Sequence, residues 1–331
     1  MKVAFVGAGS WGTALARVLA PSVASIVLWS RDREVVEEIR THRVNSVYLP
    51  HFELQGNIQA TNDIGDINDA DIIVISTPTQ YIAGVIREHN LDLSDKPVVS
   101  VSKGIERGTL RRISEILKEE AGVADHNFAV LTGPSHAEEV ARETPTTVVA
   151  VSSNDAIGKL VQDLFLTPYF RVYHSRDVVG AELGGAFKNV IAISAGIVEG
   201  LGFGDNTKAA LMTRGLAELV RLGDVLGADA MTFSGLSGLG DLIVTCTSKF
   251  SRNRGVGELI GQGQTLSDIQ NSMRMVAEGV ASTESIRDLG RRHNVELPIV
   301  EQVYRILFDQ IAPLKAIQEL MVRESKAEIW H

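Results

Sequence analysis

The sequence predicts an α/β chain in two parts, a doubly wound, mostly parallel sheet followed by an all-helical second half. Three observations predict it. Short runs rich in Val and Ile alternate with polar-faced helical segments through the first half. Near Asp177 that alternation gives way to long helical periodicities. The length of 331 residues suits two domains at about 150 residues each. With 44% hydrophobic and 22% charged residues the chain can bury cores, which excludes a wholly disordered protein.

In chain order, strands are expected at Lys2–Val6, Ser25–Trp29, Asp71–Ser76, Pro97–Ser102 and Phe128–Leu131, then at Thr146–Ser152 and Phe170–Tyr173. The early runs are nearly continuous in Val and Ile, as parallel strands covered on both faces require. Helical patterns between them imply right-handed βαβ units. The first domain is therefore placed at 1–177 and the second at 178–331. In the second, Val178–Glu199, Thr207–Leu226, Thr283–His293 and Glu301–Phe308 read as helices, and Leu242–Val244 as a short strand-like piece. Glycines at 235, 238 and 240, and again at 255, 257, 261 and 263, read as loops.

Gly7-Ala8-Gly9-Ser10-Trp11-Gly12 fits the pattern G-x-G-x-x-G, directly after the first strand and before a helical run, Thr13–Leu19. That context makes the pattern specific. Gly7 permits the tight turn, Gly9 lets backbone approach a pyrophosphate, and Gly12 allows close packing of helix on strand. The helix N-terminus offers free N–H groups and partial positive charge to the phosphates. The first domain thus reads as a Rossmann-like NAD(P)-binding domain. Its second strand ends Trp29-Ser30-Arg31-Asp32-Arg33. NAD-selective sites usually end this strand in Asp or Glu; here Arg31 and Arg33 suit a ribose 2′-phosphate and Asp32 comes late. NADP is favoured, and NAD stays open.

The balance of 32 basic against 41 acidic side chains gives a net charge of −9. That argues against a general binder of nucleic acid or anionic membrane, while leaving room for a small anion held by a local cluster of cations. Cys246 is the only cysteine, so no intrachain disulfide forms and a reducing cytoplasm is expected. Glycines, Trp11 and Arg17 interrupt the apolar N-terminus, and no uninterrupted apolar stretch reaches the roughly 18 residues of a membrane span. The eight histidines form no metal-binding spacing. Adjacent Ser135-His136 is poor geometry for a nucleophile and its base.

Gly184-Gly185-Ala186-Phe187-Lys188-Asn189-Val190-Ile191-Ala192 lies in a helix apolar almost all round. Small residues at helical spacing from Lys188 leave room for a ligand, and burial lowers a lysine pKa from about 10.4 toward a useful base. A lysine snorkelling from a core helix fits the same composition.

Taken together, Gly7–Gly12, Ser102-Lys103-Gly104, Gly133-Pro134-Ser135-His136-Ala137, Gly184–Val190, Gly202-Phe203-Gly204, Thr213–Leu216, Gly238–Asp241, Thr245-Cys246-Thr247, Ser251-Arg252-Asn253-Arg254 and Val276-Ala277-Glu278-Gly279 occur in one order. In these the chain resembles the bacterial NAD(P)-dependent sn-glycerol-3-phosphate dehydrogenases, from its start to about residue 310. The lysine helix combined with Ser-Arg-Asn-Arg is the specific part.

The resemblance implies that Lys188 is the catalytic acid/base between dihydroxyacetone phosphate and sn-glycerol 3-phosphate. It implies that Lys103 is a second cation near substrate and nicotinamide, that Asp241 is a substrate-site aspartate that also holds Lys188, and that Thr245 offers a hydroxyl to substrate. Gly133 and Ser135 become substrate-loop positions, and Ser251, Arg252 and Asn253 a phosphate cradle in one short loop. Gly7, Gly9, Ser10, Trp11, Gly12, Arg31, Lys103, Ala137, Arg252, Val276 and Glu278 become cofactor contacts. Ser135 stands where many members have Thr, and Arg31 where His is frequent.

The expected protein is a cytoplasmic, homodimeric oxidoreductase that supplies glycerol phosphate for phospholipid synthesis, using NADP or NAD, with no nucleic-acid partner and no stable membrane insertion. Two other readings compete. A related hydroxy-acid dehydrogenase would also place a lysine on an interdomain helix. A non-catalytic dinucleotide sensor would keep Gly7–Gly12 without needing Lys188, Lys103, Asp241 and Arg252 together. The stretch from Lys315 to His331 carries no recognisable signal.

Overall fold

The computed structural model describes residues 1–272, 277–325 and 327–328. The first half runs β1 (Lys2–Val6), α1 (Ser10–Leu19), β2 (Ser25–Trp29), α2 (Arg33–His42), β3 (Val44–Asn45), β4 (Leu49–Glu53), β5 (Ile58–Thr61), β6 (Ile72–Ile75), α3 (Thr79–His89), β7 (Val98–Ser100) and α4 (Ile113–Ala121). It continues with β8 (Phe128–Thr132), α5 (Ala137–Ala141), β9 (Thr146–Val151), α6 (Asp155–Phe165) and β10 (Phe170–Ser175). Eight strands form one sheet in the order β10-β9-β8-β7-β6-β1-β2-β5, while β3 and β4 make a separate hairpin. All neighbours in the sheet are parallel except β8 and β9.

The strand periodicity explains why both faces are covered. Alternate residues of β1 point oppositely: Val3 and Phe5 join a core with Leu15 and Val18 of α1, whereas Ala4 and Val6 join one with Ile82 and Ile86 of α3. The chain winds outward from β1 through β2 in one direction and from β6 through β7 in the other. Between β1 and β6 the winding reverses, which opens a crevice beyond the strands' carboxyl ends. The sequence does not announce β4 or β5. Pro50 and two exposed side chains obscure β4, and β5 is a short edge strand with polar Gln59 facing out.

The second half contains α7 (Val178–Gly200), α8 (Asp205–Val225), α9 (Asp241–Thr247), α10 (Arg252–Gly261), α11 (Leu266–Ser272), α12 (Glu278–Arg292), α13 (Pro298–Phe308) and α14 (Pro313–Met321). Its axis is α7, buried continuously from Gly180 to Val198. By length and hydropathy this helix is apolar enough to cross a membrane, but here it is the core around which the others pack. Each large apolar side chain it fully buries, such as Phe187 or Ile191, contributes about 1.5–3 kcal/mol. Glu182 anchors α7 to the sheet half, accepting from Arg112 Nη1 at 2.9 Å and from the Ser114 main-chain N–H at 2.8 Å.

Two local expectations change. Leu242–Val244 is helical, because it falls inside α9 directly after a single wide helical turn at Leu236–Gly240. Gly255, Gly257 and Gly261 lie within α10, and Gly238 and Gly240 within that wide turn, rather than in loops. A Cβ on Gly257 would sit 1.9 Å from the Ile193 carbonyl oxygen, so glycine there lets α10 press its backbone against α7.

Candidate active site

A cleft of about 610 Å³ runs from the glycine turn after β1 to the middle of α7. Its cofactor end is made largely of backbone. Gly7 has φ +123°, and a Cβ there would meet Ser76 C and Thr77 N at 2.8 Å. A Cβ on Gly12 would lie 2.4 Å from the Gly7 carbonyl oxygen. Ser76 Oγ and Thr77 Oγ1 fasten the turn from the β6 side, donating to Gly7 O at 2.6 Å and Val6 O at 2.7 Å. Gly9 caps α1 without any side chain in the way, and no acidic residue occupies the first turn. This cradle, with open helix N–H groups beside a turn that side chains would fill, fits a dinucleotide pyrophosphate.

Ser10, Trp11, Arg31 and Ala137 line the same cleft. Trp11 packs against Phe170 with ring centroids 6.5 Å apart. Asp32 is engaged as the cap of α2, accepting from the Glu34 N–H at 3.0 Å. Arg31 projects outward, 69% exposed, with a 4.0 Å approach to Glu88. Tyr48 and Tyr81 also line this end; neither carries a motif that would single it out. Glu278 begins α12 and accepts from the Thr79 N–H at the start of α3, 3.0 Å away. Burial raises its pKa above the usual carboxylate range. Val276 lies outside the described residues.

The reaction end is built from side chains. Lys188 Nζ donates to Asp241 Oδ1 at 2.6 Å and to Thr245 Oγ1 at 2.8 Å. Lys103 Nζ, from the segment after β7, donates to the other oxygen, Asp241 Oδ2, at 2.6 Å and to Gly133 O at 3.2 Å. One buried carboxylate thus holds two ammonium groups. Burial pushes the Lys188 pKa down to about 8, against the pull of Asp241 and with added repulsion from Lys103. Burial works to raise Asp241, but the two lysines hold it below its ordinary range. The buried lysine is therefore paired rather than snorkelling, and Asp241 spends both carboxylate oxygens on lysines.

The remaining predicted positions divide. Gly133, at φ +140°, and Ser135 stand on the turn after β8, where Ser135 Oγ donates to Gly133 O at 2.9 Å. Ser251, Arg252 and Asn253 do not share one short loop: Arg252 and Asn253 open α10, and Ser251 caps it, its Oγ accepting from the Arg254 N–H at 3.2 Å. Asn253 is tied down, donating to Asn189 Oδ1 and accepting from the Gly279 N–H, both at 2.9 Å. Arg252, exposed on the first turn of α10, lines the cleft. Thr245 spends its hydroxyl within the protein, between Lys188 and the Asp241 main chain.

His136, which the sequence gives no role, also lines the cleft. Burial, then the charge of Lys188, pushes its pKa down to about 4, so the ring is neutral near pH 7. Its neighbour Ser135 has its hydroxyl engaged by Gly133 O, so the two do not form a nucleophile and its base.

Residues 2–157 match the family model described as the NAD-dependent glycerol-3-phosphate dehydrogenase N-terminus, and residues 177–318 the corresponding C-terminus. The chain is 48% identical over 331 residues to glycerol-3-phosphate dehydrogenase (NAD(P)+) of Staphylococcus carnosus strain TM300, covering 99% of each chain. It is 50% identical over 330 residues to the enzyme of that name from Geobacter sp. strain M21, covering 99% of this chain and 98% of the relative. The crystal structure of glycerol-3-phosphate dehydrogenase from Coxiella burnetii superposes with a TM-score of 0.93 at 38% identity, covering 97% of this chain and 99% of that one. D-mandelate dehydrogenase in complex with NADH, at 16% identity and a TM-score of 0.62, covers 94% of this chain and 98% of that one and shares the fold.

Proposed function

The chain belongs to the NAD-dependent glycerol-3-phosphate dehydrogenases, and from that premise we propose how its own residues divide the work. The enzyme interconverts dihydroxyacetone phosphate and sn-glycerol 3-phosphate with NAD(P)H. When bound, the nicotinamide supplies the hydride for reduction of the keto carbon and takes it back in the reverse direction. Lys188 moves the proton: its ammonium donates to the ketone oxygen during reduction, and its neutral amine removes the hydroxyl proton during oxidation. A pKa near 8 lets one group serve both directions around neutral pH. Lys103 adds positive charge where negative charge develops on the substrate oxygen, and Asp241 keeps both lysines in place.

The phosphate goes to the start of α10. Arg252 offers a forked donor set suited to phosphate oxygens, and Ser251 and Asn253 shape the turn that presents it. Gly133 and Ser135 wall the substrate on the sheet side. Gly7, Gly9, Ser10, Trp11 and Gly12 hold the pyrophosphate end, with Arg31, Ala137, Val276 and Glu278 as further cofactor positions. Residues 1–177 carry the dinucleotide, and residues 178–331 carry the substrate.

NADP is the preferred cofactor in this reading, because Asp32 is spent on the α2 cap while Arg31 stands open at the end of β2. The product is the backbone of glycerophospholipids, so the reaction serves their synthesis. The buried free thiol of Cys246 fits a reducing cytoplasm, and assembly as a homodimer belongs to the same reading.

The observation that carries the mechanism is the Lys188–Asp241–Lys103 cluster, which opens into the same cleft as the glycine turn and Arg252. The test is oxidation of NADPH, then NADH, with dihydroxyacetone phosphate as sole acceptor. Turnover with both, faster with NADPH, is expected. Absence of turnover with either cofactor sinks the reading, and higher efficiency with a 2-keto acid transfers it to the hydroxy-acid dehydrogenases.

A further inference from the structure

A lysine that passes a proton to one substrate atom must present it along one direction, and a flexible four-carbon stem does not fix that direction by itself. An ammonium has three N–H bonds, and an amine two N–H bonds and one lone pair. Among the described residues, two protein acceptors stand within reach of Lys188 Nζ: Asp241 Oδ1 at 2.6 Å and Thr245 Oγ1 at 2.8 Å. Asp241 cannot swing away, because Lys103 holds its second oxygen at 2.6 Å.

The hydroxyl of Thr245 is constrained in the same way. Its single hydrogen has a short path to the main-chain oxygen of Asp241, one helical turn back along α9, at 2.6 Å; the Oδ1 alternative is 3.4 Å away. With that hydrogen committed, Thr245 can only accept from Lys188. Both protein acceptors are then filled by N–H bonds in either charge state. The third direction carries an N–H when Lys188 is charged and the lone pair when it is neutral; Lys188 lines the cleft, with Lys103 beside it as the second cation. Reduction needs the first and oxidation the second.

We propose that Thr245 is a positioning residue that acts through Lys188, aiming its proton or its lone pair at the reacting oxygen, and that it is not a ligand of the substrate. The proposal rests on the reading of Lys188 as the acid/base.

The test is Thr245→Val, which keeps shape and removes the acceptor, with Thr245→Ser to restore it and Thr245→Ala as a second deletion should valine disturb folding. NADPH affinity, followed by fluorescence titration, reports that each variant is folded. Expected for the deletions is a roughly 10- to 100-fold loss of kcat, with the KM for dihydroxyacetone phosphate within about threefold of wild type. The limb of the pH profile near 8 should move to lower pH, since a hydroxyl oxygen to which the charged lysine donates is gone. Thr245→Ser should return both kcat and the limb. A tenfold rise in KM at unchanged kcat would make Thr245 a substrate ligand and overturn the proposal. Unchanged kcat and an unmoved limb, or a serine variant as poor as valine, overturn it equally. Wild-type protein that does not reduce dihydroxyacetone phosphate, or Lys188→Ala with full turnover, removes the underlying acid/base reading instead.

Discussion

The two ends of the cleft are built from different materials. At the cofactor end the contacts are backbone, and specificity comes from where a Cβ cannot be: Gly7 and Gly12 would each drive one into main-chain atoms at 2.8 Å or less. At the reaction end the contacts are charged side chains from three separate segments, converging on one buried carboxylate. The first end recognises a large, constant ligand by shape and partial charge. The second must change its protonation during each turnover, so it needs titratable groups whose pKa values the fold can move. A site of the first kind breaks by steric intrusion and a site of the second kind by altered charge, and the two failures have different kinetic signatures.

Deleting the acid/base should give the largest effect. Lys188→Ala is expected to lower turnover by about 10³-fold while NADPH affinity stays within a few-fold of wild type. Stopped-flow turnover and fluorescence titration on the same sample measure the two quantities, and equal loss of both would mean the ends are not separable.

Asp241→Asn should come next, at roughly 10²-fold in reduction at pH 7. The carboxylate is what favours charged Lys188 against burial and Lys103, so its loss moves the lysine pKa below about 8. Reduction uses the charged form: in wild type its rate should fall as pH rises through about 8, and in the variant that fall should come at lower pH. Part of the lost rate should return on acidifying the assay. A variant whose limb stays at the wild-type position would show that Asp241 does not set the lysine's charge.

Gly12→Ala probes the other material. The added methyl lies 2.4 Å from Gly7 O and 2.7 Å from Ser76 Oγ, and the main-chain oxygen cannot step aside without opening the turn. The KM for NADPH should rise by some tens of fold, with kcat at saturating cofactor changed little. A kcat loss without a KM change would place the damage at the wrong end.

The same contrast explains what the sequence discloses. The glycine turn is local: all its residues fall between β1 and the first turn of α1, and spacing alone exposes it. The lysine helix is visible too, because a charge in an apolar run is conspicuous. Its partners are not, since Asp241 is 53 residues from Lys188 and 138 from Lys103, and only packing brings them together. The family resemblance supplied Asp241 and Lys103, which no local pattern singles out. It did not tell how Ser251, Asn253 and Thr245 spend their hydrogen bonds, because a hydroxyl or an amide reads the same whether it faces a ligand or its own helix. In the fold the pattern was similar. The buried strands β1 and β2 agree residue for residue with their Val- and Ile-rich runs, whereas glycines in α10 read as loops until the close approach of α7 explains them.

Arg31 should give the smallest effect and sharpens the comparison most finely, because it is a charged side chain at the end otherwise made of backbone. It is exposed and only 4.0 Å from Glu88, so its interaction with a bound 2′-phosphate is screened by water and worth about 1 kcal/mol. Arg31→Ala should therefore lower kcat/KM for NADPH by roughly fivefold and leave kcat/KM for NADH within about twofold. The ratio of the two efficiencies, measured at low and at high salt, isolates the charge: the ratio should fall toward one in the variant, and its salt dependence should fall with it. If NADPH and NADH lose efficiency equally, Arg31 acts on the adenosine common to both, and the 2′-phosphate is read elsewhere along the cleft.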